Sequence, residues 1–86
     1  MTVQVTLYHS PACHLCDRAR SILLEARDEL GFELVEVNIT GWHELEAEYR
    51  EWLPVVEIDG ERAFVYYVDP IGLRRRIARV ASDGSH

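Results

Sequence analysis

Lysine is absent from this chain. All nine basic side chains are arginines, outnumbered by fifteen aspartates and glutamates, for a formal net charge of −6. So acidic a chain lacks the positive face that general nucleic-acid binding needs to displace counterions. No apolar run approaches the roughly 20 residues that cross a bilayer, so no membrane role is expected. The first residues, MTVQVTLYHS, show no basic stretch followed by an apolar one. That is not a secretory leader, and it makes the cytoplasm the expected location. Cysteine is scarce too: its two copies, Cys13 and Cys16, both lie within SPACHLCDRAR. With 86 residues and no repeat, linker or low-complexity segment, the chain has room for one small domain and not two.

Two cysteines separated by two residues support three chemistries. A permanent staple fits poorly, since a reducing compartment keeps thiols free and so short a loop removes little unfolded-state entropy. A zinc site needs about four ligands. His9 and His14 are close in sequence, but His14 lies inside the motif and there is no second C-x-x-C. A redox pair that opens and closes is the third reading, and the surrounding sequence favours it.

Residues 3–9, VQVTLYH, alternate apolar and polar with β-branched residues, the pattern of a strand that Ser10 and Pro11 end. From His14 the period changes. Leu15, Ala19, Ile22, Leu23, Ala26 and Leu30 fall on one helix face, and Gly31 follows as a stop. FELVEVNIT (32–40) reads as a second strand. WHELEAEYREW (42–52) reads as a weaker helix whose Trp42, Leu45, Tyr49 and Trp52 share a narrow inner face, with an aromatic partner surface of Trp42, Tyr49 and Trp52 as the alternative. Val55 to Ile58 form a third strand, and Asp59-Gly60 signals a hairpin returning as RAFVYYV, with Tyr66 and Tyr67 on opposite faces of the sheet. Asp69-Pro70 is an N-cap followed by proline at the first helical position. The last helix should bury Ile71, Leu73, Ile77 and Val80, so the domain is expected over 1–80 with a frayed tail at 81–86. The order β-α-β-α-β-β-α closes as a mixed four-stranded sheet with helices on both faces, an α/β architecture known as the thioredoxin fold.

On that skeleton Cys13 stands where the first strand gives way to a helix. The unpaired N–H groups of a helix start favour a thiolate, the reactive form of cysteine. Cys16, one turn in, can attack a mixed disulfide held on Cys13. Cys13 is therefore the expected nucleophile and Cys16 the resolving thiol. His14, as an imidazolium, could further stabilise the thiolate and raise the potential; an inert exposed residue is the alternative. In thioredoxin-fold enzymes a cis proline faces the cysteines, and Pro54 in WLPVV is expected to be that proline, with a trans proline starting an edge strand as the alternative. Leu53 before it would offer its backbone to an extended substrate or a thiol tripeptide.

LYHSPACHLCDRAR, LPVVEIDGE and the Asp-started last helix together resemble the glutaredoxin-like proteins of bacteria, and within them a short branch with a C-H-L-C-D signature. The resemblance covers residues 3–80. It implies thiol–disulfide exchange with no cofactor, Cys13 and Cys16 as the redox pair and Pro54 on the substrate side. It also admits, by analogy with some glutaredoxins, an iron–sulfur cluster bridged between two protomers. Glutathione-using relatives carry Pro-Tyr between the cysteines, Thr-Val before the proline and a Gly-Gly pair after the hairpin. Here those places hold His14-Leu15, Trp52-Leu53 and the glycine-free AFVYYV. Bulky side chains there argue against glutathione, and Asp69 has its capping role to explain it even though it could hold an ammonium group. Tyr8 and His9, just ahead of the motif, are candidates to line the substrate groove, with an ordinary strand end as the alternative.

The arginines of LRRRIAR and the carboxylates Glu44, Glu46, Glu48 and Glu51 read as solvated charge. Two functions from different classes follow. One is a dithiol oxidoreductase acting on protein disulfides or a low-molecular-weight thiol, fed by an electron-donating thiol or a reductase. The other is a non-enzymatic binding module that kept the fold. A monomer is expected for either.

Overall fold

A computed structural model of the chain describes residues 2–83. Seven elements follow one another: β1 (Gln4–His9), α1 (His14–Leu30), β2 (Glu33–Asn38), α2 (His43–Tyr49), β3 (Val55–Ile58), β4 (Glu61–Val65) and α3 (Pro70–Asp83). The strands form one sheet in the order β2-β1-β3-β4. β1 runs parallel to β2 and antiparallel to β3, and the β3–β4 hairpin completes the mixed sheet. This is the expected α/β, thioredoxin-like architecture.

Register explains how the sheet faces two ways. Val5 pairs with Ile58 and Leu7 with Val56, while Thr6 pairs with Glu57 and Tyr8 with Val55. Alternation along a strand then sends the first set to one face and the second to the other. Val5, Leu7, Val56 and Ile58 meet Ala19, Leu23 and Ala26 of α1 and Leu73 and Ile77 of α3 in the larger core. A smaller cluster on the opposite face gathers Cys16, Ile39, Tyr49, Leu53 and Val55. α1 thus spans both, with its body in one core and its first turn in the other.

The ends of the elements are chemically explicit. Gly31 takes the left-handed conformation at φ 78° and donates its N–H to the Arg27 carbonyl, closing α1. Asp59 and Gly60 both have positive φ, 50° and 85°, as the two-residue hairpin turn requires. Asp69 caps α3, its two carboxylate oxygens accepting from the N–H groups of Ile71 (3.3 Å) and Gly72 (3.2 Å). A Cβ on Gly72 would lie 3.0 Å from one of those oxygens, so glycine leaves the cap its room.

Several expectations are corrected. α2 ends at Tyr49, short of Trp52, and Trp42 lies outside it as an extended N-cap residue. Trp42 and Trp52 are 64% and 45% exposed, not core. The residue before a proline is driven out of helical conformation, so the chain must leave the helix before Leu53. It does so in a turn in which the Trp52 N–H donates to the Tyr49 carbonyl. In α1 the buried line runs through Cys16, Ala19, Leu23 and Ala26, leaving Leu15 and Leu30 exposed. Leu15 stands one residue, about 100°, off that line. Ile71 is 63% exposed for a similar reason, lying about 200° around α3 from Leu73. Tyr66 and Tyr67 fall beyond β4, both exposed, instead of alternating across the sheet. α3 continues through Asp83, so the frayed tail does not begin at residue 81; residues 84–86 lie outside the described residues.

Candidate active site

Cys13 is the N-cap residue of α1, in extended conformation at φ −109° and ψ 105°. Its Sγ accepts the backbone N–H of Cys16 at 3.1 Å. An N-cap position ordinarily goes to Ser, Thr, Asp or Asn, whose oxygen accepts this bond. Here sulfur does so, and a thiolate would accept it more strongly than a thiol. Cys13 and Cys16 are joined by a disulfide, with Cα atoms 5.2 Å apart. The two are unequal in access: Cys13 is half-buried, and Cys16 is only 3% exposed within the smaller cluster. A reagent from solvent reaches the first sulfur, and the second is presented to its neighbour.

Leu53 stands beside them. Its side chain belongs to the cluster that holds Cys16, and Cys13 and Val65 pack against the same group. The Leu53–Pro54 peptide is cis, and the Pro54 carbonyl accepts the N–H of Tyr66 at 2.9 Å. Among the described residues nothing hydrogen-bonds to the N–H or C=O of Leu53. Buried backbone groups are nearly always paired, so a pair left open to hydrogen bonding beside Cys13 is unusual.

A groove of about 390 Å³ adjoins this strip, lined by Ser10, Pro11 and Ala12 of the loop before Cys13, by Ile39 and Thr40 after β2, and by Glu46, Arg50 and Leu53. Glu46 already accepts the Gly41 N–H at 2.7 Å, whereas the Arg50 guanidinium makes no ion pair among the described residues. A larger hollow of about 480 Å³ is lined by residues 41–45 and includes none of the cysteine loop.

The remaining candidates disperse. His14, the first residue of α1, is exposed and without a hydrogen-bond partner among the described residues. Both oxygens of Asp69 are engaged in capping. Tyr8 is the exception: half-buried, it packs against the cluster that holds Cys16 and Leu53, its ring stacked on Tyr49 and its hydroxyl donating to Glu57 at 3.3 Å. Among the described residues no three His, Cys, Asp or Glu side chains gather as they would around a metal ion. No described helix is long and apolar enough to cross a membrane.

Sequence reasoning missed Glu57. Its carboxylate accepts from Tyr49 at 2.9 Å as well as from Tyr8, and Arg62 lies over the Tyr49 ring at 5.7 Å. Burial and the neighbouring Glu57 charge push both phenols above their ordinary value. The signal was present in VVEIDG: a charged residue sharing its strand face with Val55 needs partners.

A dithiol pair at a helix start, beside a proline strip in this sheet order, defines a redox-type site on a thioredoxin-like fold. The model of the glutaredoxin-like domain (DUF836) matches residues 4–78, and the chain belongs to that family. An uncharacterised protein of Mycobacterium tuberculosis is 37% identical over 81 residues, covering 88% of this chain and 84% of its own. Among solved structures, protein Ne2328 of Nitrosomonas europaea superposes with a TM-score of 0.75 at 23% identity, over 88% of this chain and 92% of that one. A thioredoxin mutant from Halobacterium salinarum gives 0.68 at 13% identity, over 90% and 73%. Likeness at these identities speaks for the fold.

Proposed function

We propose that the chain is a dithiol thiol–disulfide oxidoreductase. The Cys13 thiolate attacks one sulfur of a substrate disulfide. The substrate S–S bond breaks, a mixed disulfide forms on Cys13, and the displaced thiolate leaves and takes a proton from water. Cys16, deprotonated, then attacks the Cys13 sulfur. The intramolecular disulfide closes, and the second substrate thiolate departs. Two electrons have passed from the protein to the substrate, and a donor thiol or a reductase returns them by the reverse steps.

The observation that carries this reading is the capping bond, in which Cys13 Sγ, half-exposed at the start of α1, accepts the N–H of buried Cys16. It supports a more stabilised anion on the accessible sulfur, and the Cys13–Cys16 disulfide supports Cys16 as the resolving thiol. The free N–H and C=O of Leu53 support it by offering a substrate chain two hydrogen bonds next to the reacting atoms.

A redox titration of the purified protein, read by mass after alkylation, tests the proposal. A reversible two-electron transition between about −120 and −270 mV is expected. Cys13→Ser should abolish disulfide reduction, and Cys16→Ser should accumulate a mixed disulfide. Full activity in Cys13→Ser, or cysteines that never close, would sink the assignment and favour a binding module.

A further inference from the structure

Tyr66 is the non-glycine residue with the largest positive φ among the described residues, 68°. A tyrosine pays a conformational cost there that glycine would not, and such a residue persists only when its surroundings fix it. Three contacts do so. Its N–H donates to the Pro54 carbonyl, its hydroxyl donates to the Glu51 carbonyl at 3.0 Å, and its ring lies against Trp52 with centroids 6.0 Å apart. The side chain therefore doubles back over the segment leading into Leu53 and Pro54. Both rings remain close to half exposed, Trp52 at 45% and Tyr66 at 44%.

We propose that Tyr66, braced on Trp52, is a specificity-determining residue that makes an extended polypeptide disulfide, and not glutathione, the substrate of the Cys13–Cys16 pair. This rests on the oxidoreductase reading above. The two rings wall the strip beside Leu53, so a compact tripeptide cannot settle its backbone there. A polypeptide passing over the wall gains apolar contact with both rings while its own backbone bonds to Leu53. Glycine at position 66 would relieve the backbone and remove the wall together.

The test uses the reduced full chain, mixed in separate reactions with insulin or with glutathione disulfide. Closure of Cys13–Cys16 is followed by alkylation and mass. Each substrate disulfide takes two electrons and yields two thiols as the protein disulfide forms. The native chain is expected to close at least tenfold faster with insulin, per mole of disulfide. In Tyr66→Gly that ratio should fall at least fivefold through a faster reaction with glutathione disulfide, whereas Tyr66→Phe, which keeps the ring, should hold it within about twofold. Trp52→Ala opens the strip from the other side and should move the ratio the same way as Tyr66→Gly. A native preference for glutathione disulfide, or a ratio that neither Tyr66→Gly nor Trp52→Ala alters, overturns the gate and leaves the oxidoreductase reading standing. Free thiols that close with neither substrate overturn that reading, and the gate with it.

Discussion

Tyr8 of β1 and Tyr49 of α2 lie face to face, ring centroids 4.3 Å apart and planes 17° from parallel, and their hydroxyls share the two oxygens of Glu57. Stacking and the shared carboxylate pin α2 to the sheet at the edge of the cluster that contains Cys16. A helix of 7 residues with one buried side chain could not hold that position by its own propensity.

That pairing has an alkaline signature. Both phenols are raised above their ordinary value, first by burial and then by Glu57. The folded state therefore holds these protons more tightly than the unfolded chain. The stability they contribute is complete below about pH 10, where a free phenol titrates, and is lost as pH rises through the raised values. Spectrophotometric titration of the phenolate should show two of the four tyrosines ionising late. Glu57→Gln should bring both downward, and no change in that variant would remove the carboxylate as a cause.

The larger core should fail at its centre. Leu7 is fully buried in the middle strand, against α1 and α3. Leu7→Ala should cost about 2–5 kcal/mol, read as a lower urea midpoint at unchanged slope. A loss below about 1 kcal/mol would mean that the site collapses around the gap.

Asp69 separates a cap from a ligand-binding carboxylate. Asp69→Ala should lower stability by about 1 kcal/mol, as loss of an N-cap does, and Asp69→Asn or Asp69→Ser should recover most of it. If substrate turnover falls in Asp69→Asn and Asp69→Ser although their stability recovers, the carboxylate serves a ligand as well.

Trp42 and Trp52 should both be open to a collisional quencher in the folded protein, given their exposures of 64% and 45%. A protected tryptophan would return the aromatic stripe to the core.

The strands and the cysteine helix were legible because their signals were local: alternation along Val3 to His9, the Asp59-Gly60 turn, the Gly31 stop. The inner face of α2 was not. Trp42, Leu45, Tyr49 and Trp52 have helical spacing, but spacing is silent about where a helix must end, and the demand of Pro54 on Leu53 ended it early. Tyr66 was hidden for a different reason. Its positive φ is imposed by contacts with Pro54, Glu51 and Trp52, distant in sequence, and residue type gave no hint of it. At the site, Cys13 and Cys16 could be placed from the motif alone. The Glu57 cluster depends on strand register, which only the folded sheet supplies, and the groove lined by Arg50 depends on how the loops after β1 and β2 meet α2.

The order of the sheet also bears on how the chain matures. β1 precedes the other three strands in sequence, yet it is central, and its second neighbour, β3, lies far along the sequence, past both cysteines. A nascent chain therefore exposes Cys13 and Cys16 before Leu53 and Pro54 exist to cover them. Having just two cysteines makes that interval harmless, because the only disulfide such a chain can close within itself is the one found in the finished protein. An early oxidation leaves nothing to unscramble.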